Sequence, residues 1–266
     1  MNTYTPSTSY AVIDIETAPL PEELINPWLP PLNWKPWNDT LFNPDTVKLG
    51  NLKDPVKINR KIDEALTKAK QEHEALREEE EAKVAQVIEE AALHPYTGWV
   101  FGIGVALGEA GKNPETVYSK ATLELSDEPA ILEHVWEIVG NTRVLINHNL
   151  LGFDLLFLVA RSLVNGVRVP FSIDKLTPWS GQKLYLRGHQ NPVTLIDTMQ
   201  VGAKYGWRGS KVKMNTLARF LGVQQKLDLE DKLPWDVARE DFCKVVAYME
   251  EDARIARDIG KRMQLI

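Results

Sequence analysis

Two residue pairs in this chain have a spacing that places both side chains on one face of a regular element. Asp14 and Glu16 lie two residues apart at the end of the apolar run 9–16 (SYAVIDIE), and Tyr248 and Asp252 lie four apart in a late amphipathic stretch. The first spacing puts both side chains on one face of a strand, and the second does so on a helix. Because adjacent carboxylates repel unless a cation lies between them, Asp14 and Glu16 could bind a metal ion together. For either pair alone, an ordinary strand end or helix surface is the simpler interpretation.

Asp154 is the third candidate. It follows an apolar run at 143–147 (RVLIN) and begins an apolar stretch of helical character. An acid in such surroundings needs a metal, a cation or backbone N–H groups as partners, and the residues leave these alternatives open. His148 and Asn149 lie at the junction between strand and helix, where loop residues commonly face a ligand. For His148 alone, a structural role is the simpler interpretation.

The elements that must position these residues form an α/β pattern. Apolar and β-branched runs predict strands at 9–16, 99–107, 115–124, 143–147 and 194–197. Helical periodicity predicts helices at 127–139, 151–164, 198–205, 213–221 and 237–263. This order predicts a mixed central sheet flanked by helices. The first strand should be central because it is apolar on both faces.

A long insertion separates the first two predicted strands. Residues 19–50 are rich in proline and tryptophan, which favours an ordered loop rather than a disordered linker. Residues 55–93 are highly charged, and neither glycine nor proline occurs between Val56 and Leu93. They predict one long amphipathic helix or two shorter ones. Such a helical arm could be solvated against the body or could dock a partner.

Composition restricts the class of protein further. The chain has 266 residues, 44% of them hydrophobic, which is enough for one elaborated domain or two small ones. Its one cysteine, Cys243, is expected to be a small buried side chain in a reducing compartment. There is neither a targeting segment nor a membrane span, so we expect a soluble, cytoplasmic protein. A net charge of −6 argues against coating nucleic acid by bulk attraction but allows a local basic groove.

Taken together, the motifs resemble a known family. Asp-x-Glu on a first strand, Asn-x-x-x-Phe-Asp after a later strand and Tyr-x-x-x-Asp on a late helix resemble the DEDD superfamily of 3′–5′ exonucleases. The tyrosine branch (DEDDy) is indicated because Ala247 stands where the histidine branch carries its histidine. The wider pattern, including TLIDTM at 194–199, is similar to proofreading domains of family B DNA polymerases and their free-standing relatives. The resemblance covers about residues 8–18 and 98–262.

This resemblance implies a ribonuclease H-like fold and a two-metal hydrolase. The core would comprise 8–18 and 98–266 of a single exonuclease domain, and 19–97 would be the insertion. Two Mg²⁺ or Mn²⁺ ions would be held by four acids: Asp14, Glu16, Asp154 and Asp252. All-oxygen ligation suits these ions, whereas zinc normally takes histidine or cysteine. Tyr248, with an ordinary pKa of about 10, would orient the attacking water rather than act as a base.

The implied substrate is the 3′ end of DNA, in single-stranded form, with nucleoside 5′-monophosphates as products. Four cations beside two aromatics at 204–213 suit the phosphates and bases of a single strand, although a solvated loop has the same composition. The expected substrate contacts are Thr17, His148, Asn149, Phe153, Lys204, Trp207, Arg208, Lys211 and Lys213. Two alternatives remain: a 3′–5′ exoribonuclease, and a weakly active binding module whose arm at 55–93 binds a partner or self-associates.

Overall fold

A computed structural model describes residues 10–32, 34–109, 115–188, 191–204, 211–230 and 232–266. The chain separates into two compact units. One contains the first strand and the chain from residue 92 onwards, and the other is Pro21–Ala91. These boundaries lie close to the predicted insertion 19–97. The assignment of all 266 residues to a single domain stays a prediction.

A mixed sheet of six strands forms the centre of the larger unit, as far as the chain is described. Its order is β3-β2-β1-β4-β6-β5. β1 pairs antiparallel with β2 and parallel with β4, which is itself parallel to β6. The strands are β1 (Tyr10–Pro19), β2 (Gly98–Gly108), β3 (Thr116–Ala121), β4 (Val144–Asn147), β5 (Lys183–Leu184) and β6 (Val193–Asp197). This arrangement confirms the mixed sheet with β1 inside it, and it agrees with a ribonuclease H-like exonuclease fold.

Helices account for most of the remaining regular structure. In the 21–91 unit they are α1 (Glu22–Ile25) and α2 (Pro55–Glu89). In the larger unit they are α3 (Glu128–Gly140), α4 (Asp154–Val164), α5 (Thr198–Lys204), α6 (Met214–Leu221), α7 (Pro234–Glu240) and α8 (Phe242–Arg262). The long helix between the first two strands is therefore confirmed.

The two faces of β1 pack against different helices. Ala11, Ile13 and Ile15 lie in one core cluster with side chains of α3 and α4. Val12 lies in another cluster with side chains of α6 and α8. Since side chains alternate along a strand, Asp14 and Glu16 are in step with Val12 and share the face that α8 covers.

The 21–91 unit is built around α2. Asp54 accepts a hydrogen bond from the backbone N–H of Val56 at 3.0 Å and so caps the helix. All 35 residues of α2 are described, and none of them is buried. Trp34 and Trp37 pack their rings on His73, at centroid distances of 5.6 and 5.3 Å. The proline-rich segment thus packs within its own unit, as predicted for an ordered loop.

Two predictions about the last part of the chain are wrong. The helix expected over 237–263 is two helices, because Asp241 is extended (φ −146°) and interrupts them. Its side chain accepts a hydrogen bond from the N–H of Lys244 and starts α8 as a new helix. Cys243 is exposed rather than buried. Among the described helices, none has the length and apolar character that a membrane crossing requires.

Candidate active site

Three of the predicted acids converge where β1 meets α8. Carboxylate oxygens of Asp14, Glu16 and Asp252 all lie within 4.8 Å of one another. Asp252 is fully buried, and Asp14 is only 9% exposed. The strand register shifts between Glu16 and Thr17, which is typical of a bulge that redirects side chains beside a site. The acid pair of β1 and the aspartate of the Tyr248–Asp252 pair therefore form one cluster.

Glycines on β2 allow α8 to come this close. Gly104 pairs with Asp14 and Gly102 pairs with Glu16 across the β1–β2 ladder. A Cβ atom at Gly104 would collide with the backbone carbonyl of Met249 on α8, and one at Gly102 would collide with the Met249 sulfur. Any larger residue would push the helix away from the sheet. The close approach therefore brings Asp252 to the acids of β1.

Asp154 joins the cluster through a buried amide. Asn147, the last residue of β4, is fully buried. Its Nδ2 donates to Asp14 Oδ1 at 2.9 Å and to Asp154 Oδ1 at 3.2 Å. The backbone N–H of Ile15 also donates to Asp154 Oδ1, at 3.2 Å. One neutral side chain thus fixes the separation of two carboxylates from different elements.

A lysine that the sequence did not single out lies among the acids. Lys226, between α6 and α7, forms an ion pair with Asp252. Its ammonium lies 3.3 Å from the hydroxyl of Tyr248 and 5.3 Å from the centroid of that ring. A cleft of about 450 Å³ opens beside Lys226 and Tyr248. Tyr248 and Asp252 do face one point, as their four-residue spacing predicted.

The cluster holds more negative charge than a buried site tolerates. Burial, and then the charge of Asp14, raise the pKa of Glu16 and of Asp154 well above their ordinary values. Burial raises the pKa of Asp252 to about 7, although Lys226 opposes the shift. Burial would lower the pKa of Lys226, but the carboxylates of Asp14 and Asp252 outweigh it and raise that pKa. The acids therefore need additional positive charge to be ionised together.

The donor set fits divalent cations with a preference for oxygen. Within the described part of the chain, Asp252 Oδ1 is buried and has no hydrogen-bond partner. A buried carboxylate oxygen is costly to leave unpaired, and the ammonium of Lys226 already shows that the position favours a cation. Mg²⁺ and Mn²⁺ take such carboxylate ligands. Asp14, Glu16 and Asp252 are thus a possible metal site.

The junction that carries Asn149 is held by another buried acid, Asp197. Its carboxylate accepts the backbone N–H groups of Asn149 and Leu151, both at 3.1 Å, and that of Met199 at 3.0 Å. Asn149 has a φ of 66°, in the left-handed region that asparagine tolerates. Asp197 ends β6 beside Asn147. It therefore fixes the loop that leads into Asp154.

His148 is bonded to the protein through both ring nitrogens. Nε2 lies 2.7 Å from the carbonyl of Val212 and must donate to it, while Nδ1 lies 3.1 Å from the Thr198 hydroxyl. Burial lowers the pKa of His148, which favours this neutral ring. The arrangement ties the segment around Val212 to the end of β4. A substrate contact by His148 stays a prediction.

The other predicted substrate contacts are spread over several segments of the chain. Thr17 and Phe153 are half-buried, and Phe153 packs on Phe157 at a centroid distance of 5.4 Å. Lysines 204, 211 and 213 are exposed. Trp207 and Arg208 lie outside the described residues. Contact of these residues with a substrate remains a prediction.

Asn147, Asp197 and Lys226 are described site residues to which sequence reasoning assigned no role. A polar residue ending an apolar strand directly before the Asp154 motif was a usable signal for Asn147. Lys226 stands in a segment without helical or strand periodicity, so only the tertiary fold brings it to the acids.

The comparison with protein families agrees with this site. Residues 103–255 match a family model described as a predicted 3′–5′ exonuclease related to the exonuclease domain of PolB. The match includes Asn147, Asp154, Tyr248 and Asp252, while the first-strand acids precede it. No curated protein matches the chain. Because the model covers more than half of the chain, this protein belongs to the family of predicted 3′–5′ exonucleases, which are hydrolases, related to the exonuclease domain of PolB.

Proposed function

We propose that the chain is a tyrosine-branch, two-metal exonuclease that removes nucleoside 5′-monophosphates from the 3′ end of single-stranded DNA. The observation that carries this proposal is the single cluster of Asp14, Glu16 and Asp252, with Asp154 joined to it by Asn147. Four acids neutralise two divalent cations. When bound, such cations lower the pKa of a water molecule and stabilise the attacking and leaving oxygens of the phosphodiester.

The chain's own residues would divide the work of holding and orienting. Asp14, Glu16, Asp154 and Asp252 would hold the cations. Asn147 would keep Asp14 and Asp154 apart by donating to both. Lys226 would lower the repulsion among the acids and present a positive charge to the cleft, where it could pair with the phosphate of the substrate.

Tyr248 suits an orienting role. Burial raises its pKa, so the phenol stays protonated at neutral pH and can donate a hydrogen bond. The hydroxyl stabilises the ionised form of Asp252. Tyr248 also lines the cleft beside Lys226. A phenol there would orient a water molecule for attack without removing its proton.

The cations beside the His148 junction support a nucleic-acid substrate. Because His148 binds the carbonyl of Val212, the exposed Lys211 and Lys213 flank the end of β4 that carries the site. Exposed lysines at an acidic site would attract a phosphate backbone locally, although the whole chain has a net charge of −6.

Digestion of end-labelled oligonucleotides tests the proposal. The protein and an Asp14→Ala variant are incubated with matched single-stranded DNA and RNA in Mg²⁺, Mn²⁺ or chelator. We expect a ladder that shortens from the 3′ end of DNA, requires metal and is absent for the variant. Faster shortening of RNA would favour the exoribonuclease. Chelator-resistant cleavage, or an active Asp14→Ala variant, would contradict the two-metal site.

We further propose that the 55–93 arm binds a partner protein or a second copy of the chain. The support is the length of α2 and the exposure of its apolar residues, with Val56 75% and Leu76 57% exposed. Sedimentation of the full chain over a wide concentration range should show association that Leu76→Glu weakens. A monomer at every concentration would exclude self-association.

A further inference from the structure

Trp179 is an exposed aromatic side chain that the proposed chemistry does not use. Its surface is 72% exposed, although a tryptophan is normally buried in a core or an interface. It lies in the turn that precedes β5, the edge strand of the sheet. An indole face exposed to this degree is available for contact with another molecule.

Side-chain amides hold this turn in place. Gln200 accepts the N–H of Ser180 at 2.9 Å and donates to the carbonyl of Pro178 at 2.7 Å, on either side of Trp179. Gln182 accepts the N–H of Thr177 at 2.9 Å and donates to the carbonyl of Trp179 itself at 3.1 Å. The exposed side chain therefore stands on an ordered backbone. A contact made from an ordered loop loses less conformational entropy.

The turn lies at the same end of the sheet as the acids, where β4 and β6 terminate. Lys183 pairs with Thr194, and the chain before it runs toward the carboxyl end of β6, where Ser180 Oγ accepts the N–H of Asp197 at 3.0 Å. Asp197 pairs in turn with Asn147 at the end of β4. Three strand spacings separate β5 from β1, so the turn lies roughly 14 Å across this end of the sheet from the strand of Asp14.

We propose that Trp179 stacks on a base of the single-stranded substrate, a few nucleotides upstream of the 3′ terminus. This inference rests on the proposed exonuclease function. A DNA strand whose 3′ end lies at the acids must leave the site along the protein surface. The carboxyl ends of β4 and β6 lie between the acids and Trp179, so they offer such a route. Every base has an aromatic face, so stacking would hold the strand without reading its sequence.

The test compares oligomers that are long enough to reach the turn with a dinucleotide that is not. Steady-state kcat and KM are measured for the wild type, Trp179→Ala and Trp179→Phe. Tyr185→Ala is the matched control. Tyr185 is 69% exposed and also adjoins β5, but it follows that strand and therefore lies toward the end of the sheet opposite the acids. We expect Trp179→Ala to raise the KM of the longer oligomer about tenfold over wild type and to leave the KM of the dinucleotide nearly unchanged. Trp179→Phe should keep most of the affinity.

Equal effects on both lengths, or equal effects of Trp179→Ala and Tyr185→Ala, would overturn the proposal. An unchanged KM would also overturn it. Binding of a fluorescent oligomer to the Asp14→Ala protein in chelator, with and without Trp179→Ala, tests the stacking when hydrolysis is absent. A failure of the exonuclease activity is therefore distinguishable from a failure of the stacking.

Discussion

Replacing Asn147 with leucine tests whether a neutral amide organises the acids. Leucine keeps the size of the side chain but removes both hydrogen bonds, at 2.9 Å to Asp14 and at 3.2 Å to Asp154. Those two acids come from β1 and α4. Without the shared donor, the separation between them is no longer fixed. We expect weaker metal binding, lower turnover and lower stability.

The loss of stability can be worked from the contacts. A hydrogen bond to an ionised group contributes about 1.5–3 kcal/mol, so two contribute roughly 3–6 kcal/mol. Leucine also removes Asn147 Oδ1, which is buried and has no partner among the described residues. Leaving such an atom unpaired costs about 1–3 kcal/mol, which the substitution recovers. The difference between the two ranges is about 0–5 kcal/mol, so the expected decrease in the free energy of unfolding is centred on roughly 2.5 kcal/mol.

Chemical denaturation, Mn²⁺ calorimetry and single-turnover digestion of single-stranded DNA measure the three effects. Asn165→Leu is the control, because Asn165 Nδ2 donates to Glu128 Oε2 at 2.8 Å and to the Arg161 carbonyl at 2.9 Å, away from the acids. It should destabilise the protein but leave Mn²⁺ affinity and turnover unchanged. Asn147→Leu should lower turnover at least tenfold, about 1.4 kcal/mol or more in the transition state. Equal turnover and Mn²⁺ affinity in both variants would refute the reasoning.

Three other predictions follow from the same cluster. Tyr248→Phe should slow the chemical step by roughly 10- to 1000-fold and leave Mn²⁺ affinity nearly unchanged, since an orienting hydroxyl is lost but no ligand is; rapid-quench kinetics and calorimetry measure both. Lys226→Met should lower metal-free stability at pH 8 by about 3–5 kcal/mol, because it leaves Asp252 without its cation, and Mn²⁺ should restore part of the loss in denaturation curves. Burial raises the pKa of Asp252 from its ordinary 3.8 to about 7. At a pH between these two values, Asp252 therefore keeps its proton in the folded protein but has lost it in the unfolded chain. Metal-free stability from this group should therefore fall as pH rises through that window, and Mn²⁺ should raise the melting temperature more at pH 8 than at pH 6.

Local periodicity was sufficient to predict much of the fold. It also predicted which side chains of the site share a face on β1 and on α8. The two-residue spacing of Asp14 and Glu16 and the four-residue spacing of Tyr248 and Asp252 each define a face without knowledge of the rest of the chain. Apolar β-branched runs likewise predicted most strands. β5 was missed because its two residues are too few for any period.

Residues whose position depends on tertiary packing could not be predicted in this way. Lys226 reaches Asp252 from a segment without regular structure, so its partner is set by how α6, α7 and α8 pack. The break at Asp241 was missed because the apolar period continues across it, and the extended backbone of Asp241 is visible only in the structure. Gly102 and Gly104 did carry a signal, since glycines inside a strand mark the close approach of another backbone.

Anomalous diffraction from crystals of the protein grown with Mn²⁺ tests directly whether the acid cluster binds two metal ions. We expect two manganese peaks about 3.5–4 Å apart. Oxygens of Asp14, Glu16, Asp154 and Asp252 should lie within bonding distance of one or both, and Asp252 Oδ1 should be among them. Manganese bound elsewhere on the chain, or an acid cluster that binds none while Lys226 keeps its place beside Asp252, would contradict a two-metal site at these acids.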